Sequence, residues 1–237
     1  YCREMKFLVP FLLVLSGCAT TLANTDQYYE PPSFERVKNE VVLESDFNST
    51  WDDLVGDLSK TFYVINNIDK ESRLLNVSFS VTEGISGFVD CGVTERRFQL
   101  ASRNEDVRYD VADPSEYFIN SATQTSQPNT MYLHYYRRPI LEGRANIYIA
   151  PQKDGKTKVM VNARYSWKFR GEFDGWLYMP LYDSHRRLEN QLRIRDDNIG
   201  DPLSFNTNQL GGDGQGDSVQ CISTGKFERD ILNLVSS

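Results

Sequence analysis

The stretch TKVMVNARYSWKFR, residues 157–170, decides how the rest of the chain is read. In it Val159, Val161, Ala163, Tyr165, Trp167 and Phe169 alternate with Lys158, Asn162, Arg164, Ser166 and Lys168. A period of two over this length places the apolar side chains on one face of a long antiparallel strand and the polar ones on the other. Just upstream, Pro151-Gln152-Lys153-Asp154-Gly155-Lys156 contains Asp-Gly, a pair suited to the positive φ angles of a hairpin turn. Arg144 to Ile149 is then the partner strand. Met131 to Arg137 is a further one, with Tyr132, His134 and Tyr136 on one face and Leu133 and Tyr135 on the other.

A sheet with one apolar face needs a covering layer, and two helical patterns can supply it. Ser49-Thr50-Trp51-Asp52 resembles a capping box with Asp in the usual Glu position, which predicts a helix start there. Trp51, Leu54, Val55, Leu58 and Phe62 follow at helical spacing on one face. At the far end Thr224 can cap a helix that carries Phe227, Ile231, Leu234 and Val235 on one side. Val41 to Glu44 and Tyr63 to Ile68 read as strands, with a turn at Asp69-Lys70-Glu71-Ser72 after the second. Leu75, Val77, Phe79 and Val81 alternate with Asn76, Ser78 and Ser80, another strand with one wet face. Residues 102–130 carry little pattern and much Asp, Asn, Ser and Thr, and read as loops with one short strand at most. The predicted class is α+β: an antiparallel sheet with an N-terminal and a C-terminal helix packed on one face, helix-grip-like, forming a single domain over residues 39–237.

The N-terminus carries a different kind of signal. Met5-Lys6 is a short positive segment, Phe7 to Leu15 an apolar run interrupted only by Pro10, and Ser16-Gly17 a pair of small residues before Cys18. So short a run cannot span a bilayer, which needs about twenty apolar residues in a helix, and it reads as a signal peptide over residues 1–17. Residues 1–4, ahead of Met5, read as an over-extended start. Leu15-Ser16-Gly17-Cys18 resembles the lipobox of bacterial prolipoproteins, which implies diacylglycerol on the Cys18 thiol and cleavage just before it; an ordinary secretory signal is the alternative. Each buried methylene adds roughly 0.8 kcal/mol, so two or three acyl chains hold a protein at a membrane. Ala19 follows the cysteine, and by resemblance to enterobacterial sorting this implies the outer membrane, periplasmic face; the periplasmic face of the inner membrane is the alternative. Residues 18–38, polar and containing Pro31-Pro32, read as a flexible tether.

Composition limits the partners. The 237 residues are 40% hydrophobic and 12% aromatic, as in globular proteins, with a formal charge of −7. Loss of residues 1–17 removes Arg3, Lys6 and Glu4, leaving 24 basic and 32 acidic side chains. A net-acidic domain is no nucleic-acid binder and no electrostatic binder of anionic lipid. The expected membrane contact is therefore the lipid alone. With Cys2 in the leader and Cys18 lipidated, Cys91 and Cys221 remain as an even pair in an oxidising compartment, read as a disulfide, with two buried free thiols as the alternative.

Two resemblances follow from these segments. Val41 through Phe79, as strand, capped helix with Trp51 and two strands, is similar to the helix-grip unit of BamC, a lipoprotein subunit of the outer-membrane barrel-assembly machinery. The chain departs from it in the Cys pair and in having room for one such unit. Phe62 to Asp69, Val89-Asp90-Cys91-Gly92 and Cys221-Ile222-Ser223-Thr224-Gly225-Lys226 are similar to a group of uncharacterised proteobacterial lipoproteins, a resemblance that implies no activity.

No catalytic pattern stands out. His134 and His185 have no metal-ligand spacing, and Gly84-Ile85-Ser86-Gly87 lacks the spacing of a nucleophile elbow. Gly211-Gly212-Asp213-Gly214-Gln215-Gly216-Asp217 resembles calcium loops, but Gly216 and Thr224 stand where a calcium-repeat Asp and an EF-hand Glu belong, so a loop is the reading. No cofactor or metal is expected, and no enzyme. Phe173-Asp174-Gly175-Trp176-Leu177-Tyr178-Met179-Pro180-Leu181-Tyr182, with Arg186 and Arg187 following, is too apolar for a solvated loop. Trp176, Leu177, Tyr178, Tyr182 and Arg186 are the candidate partner-binding residues, since Trp, Tyr and Arg dominate interface hot spots; a buried extension of the core is the other reading. The expected function is a lipid-anchored periplasmic binding or assembly scaffold whose partner is another envelope protein. The alternative is a carrier of a small apolar ligand, lipid or cell-wall fragment, in a cavity between helix face and sheet that Trp51, Phe79, Tyr165 and Trp167 would either line or fill.

Overall fold

The computed structural model describes residues 23–121, 129–188, 194–196, 202–212 and 219–236. In chain order the elements are β1 (Asn24–Glu30), β2 (Glu40–Leu43), α1 (Phe47–Leu58), β3 (Val64–Asp69), β4 (Leu74–Val81), β5 (Val89–Asp90), β6 (Val93–Leu100), β7 (Arg103–Asp110), β8 (Ser115–Asn120), β9 (Thr130–Pro151), β10 (Thr157–Met179), β11 (Ser184–Arg187), β12 (Ile194–Asp196), β13 (Leu203–Asn206), β14 (Ile222–Ser223) and α2 (Lys226–Leu234). The axis of the molecule is the β9–β10 hairpin, paired without a break from Pro151↔Thr157 to Thr130↔Tyr178. Its turn is the predicted Asp-Gly: Asp154 (φ 64°) and Gly155 (φ 74°) both take the left-handed conformation.

Short strands line both edges of this hairpin. Along β10 lie β2, β13, β12 and β11 in succession from the turn outward. Along β9 lie β4, which pairs with β3, and then β8. A separate three-stranded sheet, β1-β6-β7, and a two-stranded pair, β5-β14, complete the fold.

In the half of the hairpin near the turn, Val159 to Trp167, Leu141 to Ile149 and Leu75 to Phe79 bury their odd-numbered side chains in one cluster. Trp51, Leu54 and Leu58 of α1 and Phe227, Ile231 and Leu232 of α2 pack into the same cluster. Gly143 faces Phe79, whose ring fills the space a Cβ would take, so the aromatic closes over the strand with no gap. The Cys91–Cys221 disulfide lies in this core, with Cα atoms 4.1 Å apart and both residues buried. It joins the end of β5 to the start of β14.

Strand dominates the described residues. The α+β, helix-grip-like class predicted above is overturned: large antiparallel sheets make up most of the described residues, and α1 and α2 span only 12 and 9 of them. The discrepancy arises in β1 and β7. β1 lies inside residues 18–38, read as tether, and β7 inside residues 102–130, read as loops. Neither strand carries a run of β-branched or apolar residues. Both are held by pairing to β6 and by cross-strand charge, with Arg97 on Asp106 at 2.9 Å, Arg108 on its opposite number Glu95, and Arg108 near Glu30 at 4.0 Å. β8, Ser115–Asn120, is a second strand in the same stretch.

Smaller corrections concern the helices. The N-cap of α1 is Asp46, three residues before the predicted Ser49, because the Asp46 carboxylate accepts from the backbone N–H groups of Asn48 (2.9 Å) and Ser49 (3.2 Å). Phe62 lies beyond the helix and is exposed. Gly225 is the N-cap of α2, while the Thr224 hydroxyl accepts from Lys226 N–H at 3.3 Å and donates to the Gly87 carbonyl at 2.6 Å. Among the described residues no helix is long and apolar enough to cross a membrane.

Candidate functional site

In the half of the hairpin far from the turn, both faces are covered. β8 is the edge strand there, and the inner face of β6 reaches both of its sides. Arg96 lies over the ring of Tyr117 (4.2 Å) on one side, and Phe98 packs on Phe118 (5.8 Å) on the other. The side of Tyr117 is a cleft of about 390 Å³ between the small sheet and the hairpin. Its walls include Tyr29, Arg96, Tyr109, Tyr117, Tyr135 and Arg137. Tyr109 and Tyr117 stack with centroids 5.4 Å apart and rings 10° from parallel, and Tyr117 meets Tyr135 at 5.5 Å. Tyr135 in turn covers Gly171, where a Cβ would meet its hydroxyl.

Two guanidinium groups flank this tyrosine series. Arg96 Nε donates to the Tyr109 hydroxyl at 3.2 Å. Arg137 is 5% exposed, lies over Tyr109 (5.1 Å) and Phe169 (5.2 Å), and donates to the Val111 carbonyl (2.9 Å) and Ser115 Oγ (3.3 Å). Neither arginine takes part in an ion pair among the described residues, whereas Arg97, Arg103, Arg108 and Arg187 each meet a carboxylate. Burial pushes the Tyr117 hydroxyl up strongly and the two arginines offset this in part, so it stays a donor at any physiological pH. This cleft was not among the sites read from sequence. A trace of it is visible there: Arg137 stands in strand register with Leu133 and Tyr135, an arginine on a face expected to pack.

The opposite face of the far half holds a second aromatic cluster of Phe98, Leu100, Phe118, Tyr132 and Tyr178, with Trp176 packed against it. The candidate partner residues therefore divide. Tyr178 is 5% exposed and Trp176 half-buried, with Arg103 over its ring at 5.2 Å. Leu177 is half-buried, and Arg186 is exposed on β11. Between β10 and β11, in the turn Pro180–Tyr182, Leu181 is 82% and Tyr182 76% exposed. The structure brings Trp176 and Tyr178 together as a base and leaves Leu181 and Tyr182 as an apolar tip.

Both histidines belong to this base. The fold sets His185 Nε2 3.3 Å from Ser102 Oγ and its Nδ1 3.0 Å from the Tyr132 hydroxyl. Ser102 Oγ also donates to Asp183 Oδ1 at 3.2 Å, and Asp183 accepts from the Tyr178 hydroxyl at 3.0 Å. His134 is placed similarly: Tyr136 donates to Asp174 Oδ2 (3.1 Å) and sits 2.9 Å from His134 Nδ1, while Phe118 stacks on the ring at 4.3 Å. Burial lowers the pKa of both imidazoles below the usual 6.5.

Trp51, Phe79, Tyr165 and Trp167, named above as lining or filling a carrier cavity, are each no more than 4% exposed and pack with both helices in one cluster. The Tyr165 hydroxyl, pushed far up by burial, donates to Glu228 Oε2 (2.8 Å). Glu228 is itself 0% exposed and also accepts from Thr207 Oγ1 at 2.8 Å. This carboxylate, on the first turn of α2, is sealed from solvent and serves the core. Among the described residues no group of three or more His, Cys, Asp or Glu could hold a metal ion. Cys18 and residues 213–217 of the glycine-rich loop lie outside the described residues. Comparisons with protein families, with curated proteins and with solved structures find no match to this chain.

Proposed function

We propose that the chain is a non-catalytic binding and assembly module of the bacterial envelope. Lipid on Cys18 holds it at the periplasmic face of the outer membrane, and its partner is another envelope protein. The observation that carries this reading is the division of one short segment into base and tip. Trp176 and Tyr178 are packed into an aromatic cluster, while Leu181 and Tyr182, a few residues on, stand in solvent at 82% and 76% exposure. An apolar tip on a rigid base loses little conformational entropy when a partner covers it, which is the economy hot spots rely on. The filled space between helices and sheet supports a scaffold over a carrier.

A photocrosslinking residue in place of Tyr182, in the lipidated protein in its own cells, is the direct experiment. The expected result is one discrete light-dependent adduct that weakens when Leu181→Ser is added. A probe at Lys70, on the turn after β3, serves as control. No adduct from position 182, or the same adducts from position 70, would remove the tip from consideration.

A further inference from the structure

The Tyr/Arg cleft has no part in the tip's reading and poses a separate problem of charge. A guanidinium taken out of water is costly unless a counter-charge compensates it. Arg137 is 5% exposed, and its recorded hydrogen bonds go to a neutral carbonyl and a neutral hydroxyl. Arg96 opens on the same cleft, bonded to the neutral Tyr109 hydroxyl. In a chain with 33 acidic and 26 basic residues, carboxylates are in surplus, and the arginines of the small sheet's outer face take them. Cation–π contacts with Tyr109, Tyr117 and Phe169 hold the two cationic groups in place without neutralising them.

We propose that the cleft between β6 and β8–β9 is an oxyanion site, in which Arg96 and Arg137 receive a carboxylate or phosphate group and the surrounding tyrosines its organic body. Guanidinium forks match both oxyanions in pairs of parallel hydrogen bonds. The Tyr109 hydroxyl, which accepts from Arg96 Nε, has its own proton as a neutral donor, and a volume of about 390 Å³ falls in the range of small-ligand sites. The same chemistry can be presented by a soluble anion or by the headgroup of an acidic lipid.

Isothermal titration of the Cys18→Ser chain with citrate and with inorganic phosphate, against sodium chloride at matched ionic strength, examines the soluble source. Co-flotation with phosphatidylglycerol vesicles, compared with phosphatidylcholine vesicles, examines the lipid source. One of these arms should give saturable binding near one site per chain. Arg96→Gln should weaken it at least tenfold while the free protein still melts cooperatively with at most a small fall in melting temperature, since the half-buried Arg96 gives up one hydrogen bond and one cation–π contact. Arg137→Lys, which keeps the buried charge but loses the fork, should weaken it as well. No saturable binding in either arm overturns the proposal, and so does binding that Arg96→Gln leaves unchanged.

Discussion

Near the turn, β9 and β10 follow the rule of alternation: Val159, Val161, Ala163, Tyr165 and Trp167 point into the core, and Lys158, Asn162 and Arg164 point away. At the far end the same two strands bury aromatics on both sides. Tyr135 and Arg137 face one layer, and Tyr132 and Trp176 the other. The near half is held by two helices and by apolar packing in which Trp51, Phe79, Tyr165, Trp167 and Phe227 join the aliphatic side chains. The far half is held by rings, guanidinium groups and hydroxyl chains that remain partly open to water. Dense apolar packing gives stability without chemistry, whereas half-exposed Tyr, His and Arg give directed contacts at lower stability. Any partner or ligand should therefore meet the far half.

This contrast can be broken most forcefully at the disulfide. Cys91 and Cys221 close a loop with a sequence separation of 130 in the near-half core. Changing both to Ala should cost about 4–5 kcal/mol on the chain-entropy account, read by urea denaturation against the oxidised parent. A loss below about 1 kcal/mol would mean that the near half does not depend on this bond. Next comes Trp176→Ala. The ring is half-buried in the far cluster, so the expected cost is roughly 2 kcal/mol, between a buried aromatic and a surface one. A cost as large as that of a fully buried ring would erase the distinction between the halves.

Acid should loosen the far half selectively. Burial lowers the pKa of His134, which Arg103 and Arg187 reinforce and Glu116 and Asp174 oppose, and likewise that of His185. In the folded state both rings stay neutral at a pH where the unfolded chain takes up protons. Their contribution is complete above about 6.5 and is lost as pH falls through the depressed folded values. Hydrogen exchange at pH 7.5 and 5.5 should show protection lost around β8 and β11 before the near core, and His134→Gln with His185→Gln should remove that difference. The smallest effect belongs to Tyr182→Ala, within about 0.5 kcal/mol, as for most exposed positions. A larger loss would assign the tip a packing role.

The same contrast governs what can be read from sequence. Alternation over 157–170, the Asp-Gly turn and the pattern from Leu75 to Val81 are legible because each strand there has one wet face. Phe173 to Met179 is not, since a strand covered on both sides has no alternation to show. β1 and β7 are missed for the opposite reason: they are polar along most of their length and rely on β6 partners such as Glu95 and Arg97 that local sequence does not indicate. The disulfide follows from counting cysteines, but the cleft does not follow from any spacing, because Arg96, Tyr109, Tyr117 and Arg137 come from four different strands.

The edge pairing of the hairpin also constrains the order in which the chain can fold. Val42 lies opposite Lys158, Leu74 opposite Tyr148, and both helices close on strands made late in synthesis. β3 and β4 can pair with each other as they emerge, but β2, α1 and the other edge of β4 have nothing to pair or pack on until β9 and β10 exist. The hairpin itself is local and its turn well formed, so it can assemble quickly once complete, whereas the contacts across the chain must wait for long loops to close. In the interval the unpaired edge of β4 and the apolar sides of Leu75, Val77 and Phe79 stand open to other chains. The free edge of β4 is thus covered only once the middle of the sequence has been made.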